Sequence, residues 1–449
     1  MIGSGARTRR STHSWTSSAV SRNKDCGARV YTQRNACLFS GYGEKGSALK
    51  RTHRNQEGGC NVTTGNHDHR LIGPALGYFH IQDDAAGSVF WHPRGAILYS
   101  CIQDHIRKRL SGAYREVRSP QLYQPRMWEK SGHLEHYGEN IYRVDGDHVL
   151  KPMNCPAHVE IFKAGNHSHH DLPLRLSEFG CCHRKEPSGA LHGIMRLRQF
   201  VQDDAHIFCA EEHVEEEVSS FCRLLRRVYA DFGFPDVDVG LSLRPDDRAG
   251  SDEIWDRAED ALRSGISAAG LAYEEYPGEG AFYGPKIEFG LKDSLGRRWQ
   301  CGTLQLDMVL PGRLGARYSA PGGHRVPIML HRAILGSMER FIGILLEHHE
   351  GDLPEWLAPV QAIVIPVEER HESYASRIRS SLGSERVEID ASGRSISDRI
   401  KRAIAARSPV IIVAGDREME AESISVRRRG SRRSLEMPLA SFSLECPPE

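Results

Sequence analysis

The stretch LRLSEFGCCHRKEPSGALHGIMRLRQFVQDDAHIF, Leu174 to Phe208, leaves this chain few choices. Two arms of strand-like composition, about Leu174–Glu186 and Ile194–Phe208, flank a loop holding Pro187, Ser188, Gly189 and Gly193, which reads as an antiparallel hairpin with a long loop. Alternate residues of a strand share a face. Arg184 and Glu186 therefore point together on the first arm, and Arg196, Arg198, Phe200, Gln202, Asp204 and His206 share a side of the second. A solvated face usually mixes Lys, Glu, Thr and Ser. A face that collects Arg, Phe, Gln, Asp and His has the make-up of a ligand-pocket lining.

Amphipathic segments surround this hairpin. AILYSCIQDHIRKRLSGA places Ile97, Leu98, Ile102, Ile106 and Leu110 at helical spacing and leads into a short strand-like segment, YREVRSPQLY, closed by Pro120. HVEEEVSSFCRLLRRVYADFGF is a second helix with Val214, Val218, Phe221, Leu224, Leu225 and Val228 on one face, its acids in the first turn and its arginines expected in the last. A boundary falls near GDLPEWLAPVQ. Beyond it QAIVIPV, SYASRIRSSL, RVEID, SISDRIKRAIAA and PVIIVAG alternate strand and helix, which predicts an α/β module with a largely parallel sheet. The fold class expected for the whole chain is α+β. Residues 1–66, rich in Arg, Ser, Thr and Gly with only Asp25, Glu44 and Glu57 as acids, cannot build a core and are expected to form a disordered basic segment; a transit peptide is the alternative.

Composition narrows the function classes. Lys plus Arg equals Asp plus Glu at 59 each, so any nucleic-acid surface must be local rather than an overall coat. Eleven cysteines without a repeating spacing argue for free thiols in a reducing compartment. No run approaches the roughly 18 apolar residues that a membrane helix requires, and no secretory signal is recognisable at the start. A soluble, cytoplasmic protein with no membrane partner is expected, or an organellar one if residues 1–66 are a transit peptide.

The chain has no G-x-x-x-x-G-K-[ST] loop and no G-x-G-x-x-G opening a helix after a strand, so a nucleotide would have to be held by arginines on a sheet. LKPMNCPAHVEIF sets Cys155 three residues from His158, a pairing that invites a metal, although a lone cysteine near histidines is usually a small buried hydrophobe. Cys181 and Cys182 in CCH point to opposite faces of a strand and cannot chelate one ion together. His331, followed by Arg332, is by itself an ordinary polar residue at a strand-to-helix junction.

HRKE followed by RQFVQDDAHIF, and later LHRAILGSMERFIGILLEH, resemble motifs 2 and 3 of class II aminoacyl-tRNA synthetases, and the segment with Pro120 resembles motif 1. KPMNCPAH, EPSGALHG, QDDAHIF, GAFYGPKIEF and HRAILGSMERF together resemble the threonyl-tRNA synthetase family over about Asp68 to Gly430. The resemblance implies a class II antiparallel-sheet catalytic domain over 67–356 and an α/β anticodon-binding domain over 357–449. It also implies a homodimer through motif 1, and as substrates ATP, L-threonine and tRNA(Thr). Arg184 would grip the ATP α-phosphate and Arg340 the γ-phosphate, with magnesium bridging the phosphates; Phe200 would face the adenine, Glu186 would orient it, and Arg196 would complete the site. One zinc ion per subunit is implied on Cys155, His206 and His331, an open three-ligand site, with the neighbouring His158 outside that set.

Threonine and valine are nearly isosteric, and a metal that takes both the amino group and the hydroxyl leaves valine one ligand short. Asp204 would also receive the hydroxyl, and Gln202, Tyr283 and Gln305 would line the pocket. His133, in EKSGHLEHY, matches the residue that would help deprotonate the terminal ribose hydroxyl, against the alternative of a surface loop histidine with His136 close by. SVRRRGSRR, Ser425–Arg433, is expected to contact tRNA phosphates and bases. Two departures stand out. Ser392 and Gly393 occupy places where the family has Arg and a further polar residue, and no editing region is recognisable in residues 1–66, which implies that mischarged seryl-tRNA would be cleared by a separate editing protein. The rival readings are a non-charging synthetase paralogue acting as a regulatory or binding protein, and an inhibitor-tolerant extra copy of the enzyme.

Overall fold

The computed structural model describes residues 67–448, so the expectations for residues 1–66 lie outside the described residues. The expected hairpin is there. Strands β2 (Leu174–His183) and β3 (Gln199–Cys209) pair antiparallel from Leu174 opposite Phe208 to His183 opposite Gln199. They form part of an eight-stranded sheet with β1 (Arg115–Glu116), β4 (Asp238–Ser242), β5 (Glu274–Tyr276), β6 (Lys286–Lys292), β7 (Arg298–Asp307) and β8 (Ile328–Ser337). The spatial order is β5-β4-β6-β7-β8-β3-β2-β1, antiparallel except for the outermost pair at each edge.

Alternation fixes which face does what. Ile207 on β3, Leu304 and Leu306 on β7, and Leu330 on β8 are buried together with residues of helices α1 (Pro93–Leu110), α3 (Val214–Asp231), α4 (Asp252–Ala268) and α5 (Met338–His348). Each such side chain contributes about 1.5–3 kcal/mol on burial. A one-residue slip would exchange these aliphatic residues for His206, Gln305 and His331, so the register is strongly specified. Those three polar residues face the other side, where the site forms.

The arms of the hairpin are shorter than their composition predicted. Ladder pairing stops at His183 and Gln199, and residues 184–198 form a loop held by the Arg184 N–H to Arg198 carbonyl bond and a 3-10 turn at Ser188–Ala190. Pro187, lacking an N–H, and Gly193, at φ +50°, break the ladder. Strict alternation therefore fails at Arg198, whose guanidinium turns to the Glu186 and Ala86 carbonyls and the Ser188 hydroxyl.

In α1 the expected face is buried at Leu98, Ile102, Ile106 and Leu110, while Ile97 is exposed. In α3 the acids Glu215, Glu216 and Glu217 hold the first turn as expected, but the helix runs on to Asp231 and its last turn contains no basic residue. Asp231 instead accepts hydrogen bonds from Arg109 on α1.

The proline-bearing boundary segment is not a loose tether, since Leu353, Trp356 and Leu357 are buried in the main core. After it, β9 (Ala362–Pro366), α6 (Glu372–Ser381), β10 (Val387–Ile389), α7 (Ile396–Ala405) and β11 (Val410–Ala414) follow the predicted alternation, with β9 parallel to both β10 and β11. The sheet then continues antiparallel through β12 (Ser423–Arg428) and β13 (Leu435–Pro438), a hairpin hidden in the sequence by its arginines although Ile424 and Val426 alternate inward. This changes the reading of the basic run. Arg428 pairs with Glu355, and Arg429 donates to the carbonyls of Asp352 and Leu353, so both arginines clamp the boundary segment. Arg432 and Arg433 remain exposed for other contacts. Among the described residues no helix is long and apolar enough to cross a membrane.

Candidate functional site

Register builds the centre of the site. Gln305 on β7 lies opposite His331 on β8, which lies opposite His206 on β3, so one rung crosses three strands. Helix α2 (Cys155–Lys163) begins over this rung with Cys155 in its first turn and Pro156 next to it, a place where proline costs no hydrogen bond. Cys155 Sγ, His206 Nε2 and His331 Nδ1 come together within 4.8 Å of one another, all buried. His331 Nδ1 is 3.0 Å from His206 Nε2 and 3.2 Å from Cys155 Sγ.

The second nitrogen of each ring has a partner. His331 Nε2 lies 2.9 Å from Asp307 Oδ2, and His206 Nδ1 lies 2.8 Å from His158 Nδ1. Burial pushes the Cys155 thiol well above its ordinary range and His206 well below. A pocket that disfavours a bare thiolate and a bare imidazolium is suited to a divalent cation, which takes neutral imidazoles and stabilises the thiolate. One thiolate and two imidazoles is a donor set that fits zinc with a position left open.

Further along the same face of β3 lie Asp204, Gln202 and Phe200. Asp204 is buried, which raises its carboxyl above the usual range, and it accepts from Asn154 Nδ2 at 2.9 Å. Asn154 reaches it only because Gly180 stands beside it on β2, where a Cβ would sit 2.4 Å from the amide. Gln202 meets the Cys182 thiol, and the Tyr283 hydroxyl donates to Gln305. The Tyr283 ring lies 5.1 Å from that of His331. His133 is not a surface histidine: it is fully buried, bonded to the Ser131 hydroxyl at 2.7 Å, with its ring 6.3 Å from Tyr283. Cys182 is buried and Cys181 half-buried, on opposite faces as expected.

Beyond Gln202 a cleft of about 450 Å³ opens, lined by Arg184, Glu186, Arg196, Phe200, Gln202, Gln305 and Arg340 among others. Arg184 stacks 5.0 Å from the Phe200 ring and donates to the Pro152 carbonyl. Glu186 accepts from Arg196. Arg340, in the first turn of α5 behind the N-cap Ser337, donates to the Met195 and Gln300 carbonyls at 2.9 and 2.8 Å. Gly336, at φ +77°, makes the turn into that helix close against the Cys301 carbonyl, where a Cβ would clash at 2.6 Å. Burial draws the Arg340 guanidinium below its ordinary range, and Arg184 and Arg196 push the same way. Three guanidiniums thus face one cleft against one carboxylate, an excess of positive charge that a polyphosphate would neutralise.

Every residue singled out in the sequence for this site, apart from Arg198, lies in this continuous region. Sequence reasoning missed the supporting groups Asn154 and Asp307; His158, noticed for its i, i+3 spacing from Cys155 on one helix, supports His206. A second group, Asp68, His69 and Glu347, also clusters, but His69 Nδ1 bonds Glu347 at 2.7 Å while its Nε2 accepts from the Ile194 N–H. Both ring nitrogens are used, which makes that group a structural cross-link.

The chain is similar to known proteins over most of its length. Residues 141–349 match the tRNA synthetase class II core domain (G, H, P, S and T), and residues 361–446 match an anticodon binding domain. A "Threonine--tRNA ligase" of Thiobacillus denitrificans is 55% identical over 372 residues, covering 81% of this chain and 58% of the relative. One of Burkholderia mallei is 52% identical over 382 residues, covering 84% and 60%. The chain therefore spans about 60% of the length of these curated relatives. Among solved structures, the RNA binding domain of threonyl-tRNA synthetase from Cryptosporidium parvum superposes with a TM-score of 0.80 at 40% identity, covering 83% of this chain and 96% of that one.

Proposed function

We propose that this chain, which belongs to the threonyl-tRNA synthetase family of class II synthetases, is a threonine:tRNA ligase that activates L-threonine with ATP and transfers the threonyl group to tRNA(Thr). One observation carries the reading: a Cys-His-His donor set and a three-arginine cleft meet on one sheet face, joined along β3 by His206, Asp204, Gln202 and Phe200.

In the first step the threonine carboxylate attacks the ATP α-phosphorus, the bond to the oxygen bridging the α- and β-phosphates breaks, and pyrophosphate leaves; magnesium bound with ATP would offset the phosphate charge. Arg184 opposes the charge that develops on the α-phosphate, and its stacking on Phe200 leaves that ring a face for adenine. Arg340 holds the γ-phosphate, with Arg196 and Glu186 at the rim. Cys155, His206 and His331 would hold zinc, which supplies a Lewis-acid position for the amino and hydroxyl groups of threonine. Asp204 takes the hydroxyl, and Gln202, Tyr283 and Gln305 close the pocket. In the second step the terminal ribose hydroxyl of the tRNA attacks the adenylate carbonyl and AMP leaves, with His133, beside Tyr283, placed to help take up the proton. A cytoplasmic homodimer formed through the segment with Pro120, and a separate protein that removes seryl-tRNA, complete the proposal.

ATP–pyrophosphate exchange with each amino acid in turn tests the first step. Exchange is expected with threonine; none with any amino acid would defeat the proposal. The rejected substrates are informative as well. Serine keeps both groups that zinc takes and lacks one methyl, so a pocket can separate it from threonine by only roughly 10- to 200-fold. Valine lacks the hydroxyl and takes from Asp204 and the metal the group they would share, leaving Asp204 only its Asn154 partner, which predicts a much larger loss. If valine is activated as well as serine, the hydroxyl is not what this pocket reads.

The C-terminal module carries its own prediction. Gly393 is exposed with nothing within 4 Å of a Cβ placed there, and the half-buried Ser392 bonds through its N–H to Asp390. No larger side chain stands there to reach a base. A lost base contact removes about 1–3 kcal/mol of discrimination, so charging should fall less steeply across anticodon variants than in a relative carrying the full pattern. Equally steep falls at every anticodon base would show that other residues read it.

A further inference from the structure

We propose that His158 is the positioning residue for the zinc ligand His206, fixing the tautomer that presents Nε2 to the metal; the inference rests on the zinc reading above. The argument runs along one buried chain of hydrogen bonds. Glu178 Oε1 accepts from Lys151 Nζ at 3.2 Å and the Ser119 N–H at 2.9 Å, and Oε2 accepts from the Ser119 hydroxyl at 2.8 Å. Oε2 also lies 3.1 Å from His158 Nε2, and His158 Nδ1 lies 2.8 Å from His206 Nδ1. His158, Lys151 and His206 are fully enclosed, and Glu178 nearly so.

The proton positions follow from the acceptor at the end. An ionised carboxylate held by a lysine and a serine only accepts, so His158 must place its proton on Nε2. Its Nδ1 is then a lone pair and must receive the proton of His206 Nδ1. That leaves His206 Nε2 bare, aimed at His331 Nδ1 and Cys155. His331 is set more directly, since its Nε2 proton goes to Asp307. Two carboxylates therefore orient the two imidazole ligands, Asp307 by contact and Glu178 through His158. Metal-bound histidines commonly donate their other N–H to an outer partner, and losing such a partner typically costs 10- to 100-fold in metal affinity. A free imidazole carries its proton on either nitrogen, and the relay removes that choice.

The relay also ends somewhere informative. Ser119 belongs to the segment with Pro120, and Lys151 precedes α2, so the strand edge and the helix that carries Cys155 are tied to the orientation of His206 through Glu178.

Substitutions separate this role from mere filling of space. In His158→Asn the amide oxygen stands where Nδ1 stood and accepts from His206, although the side chain is smaller. His158→Leu fills more volume and accepts nothing. Zinc affinity of the full chain, read by competition with a chromophoric chelator, should fall about 10- to 100-fold in His158→Leu and stay close to the parent in His158→Asn. Glu178→Gln can donate to His158 Nε2, which reverses the relay, and should weaken zinc as His158→Leu does. Thermal unfolding of each variant in excess zinc confirms that the comparison is between folded proteins, and should His158→Leu not fold, the order of Asn and Glu178→Gln decides. Zinc held as tightly by His158→Leu as by the parent, or Asn weakened as much as Glu178→Gln, would overturn the proposal. A parent chain that binds no stoichiometric zinc would instead overturn the zinc reading itself.

Discussion

Cys155→Ser is expected to empty the zinc site and to stop threonine activation while leaving the fold in place. Cys155 stands in the first turn of α2, over a rung already held by the pairing of Gln305, His331 and His206 across three strands. The sheet therefore does not depend on the metal for its register. A serine hydroxyl does not deprotonate as a thiol does and is a poorer partner for zinc, so metal content should drop from about one ion per chain towards zero. Loss of a Lewis-acid position worth several kcal/mol predicts a fall in threonine-dependent pyrophosphate exchange of roughly 10³-fold or more. The melting temperature should move little by comparison. Metal analysis read beside exchange kinetics checks both parts. Full exchange in a metal-free Cys155→Ser preparation would remove zinc from the account.

The second large effect concerns the arginines, and it should divide between two kinetic constants. On the proposal Arg184 opposes the α-phosphate, where charge grows as the carboxylate attacks, so Arg184→Ala should lower kcat of activation by roughly 10²–10³ with a smaller change in the KM for ATP. On the same proposal Arg340 holds the γ-phosphate, whose charge hardly changes in the step. Its removal should raise the KM for ATP by roughly 10- to 150-fold, the equivalent of a charge-assisted hydrogen bond of about 1.5–3 kcal/mol. Arg340 also ties the Met195 and Gln300 carbonyls together, so Arg340→Lys, which keeps the charge and loses the fork, serves as the milder variant. Identical losses in both constants for both positions would mean that the two arginines do not serve different phosphates.

Much of this was legible in the residues because strand periodicity is local. Phe200, Gln202, Asp204 and His206 alternate along β3 as their spacing predicted, and all four face the site. The same rule failed where the ladder ended: Arg198 has the right parity but lies past the last paired residue, and its side chain turned to nearby carbonyls. The donor set was not legible from spacing at all. His331 is 125 residues from His206 and 176 from Cys155, and only the order β8-β3 and the placement of α2 bring them together. Family resemblance supplied that grouping where periodicity had nothing to offer.

His158 shows the limit of spacing in another way. Its i, i+3 place beside Cys155 drew attention and the family resemblance set it outside the donor set; its ring meets Nδ1 of His206, on the side away from Cys155 and His331. The basic run at Ser425–Arg433, expected from its charge to contact tRNA, hid a strand: the inward alternation of Ile424 and Val426 places Ser425–Arg428 in the sheet, and Arg428 and Arg429 are engaged by residues 352–355.

The central claim is that this sheet face makes threonyl-adenylate and passes it on to tRNA. The most direct test is charging of a tRNA panel by the purified, zinc-loaded chain with each labelled amino acid. The account predicts threonine esterified to threonine-accepting tRNA, with ATP consumed and AMP formed in step with it. Threonine-dependent exchange without any transfer to tRNA, or transfer of a different amino acid in preference to threonine, would contradict it.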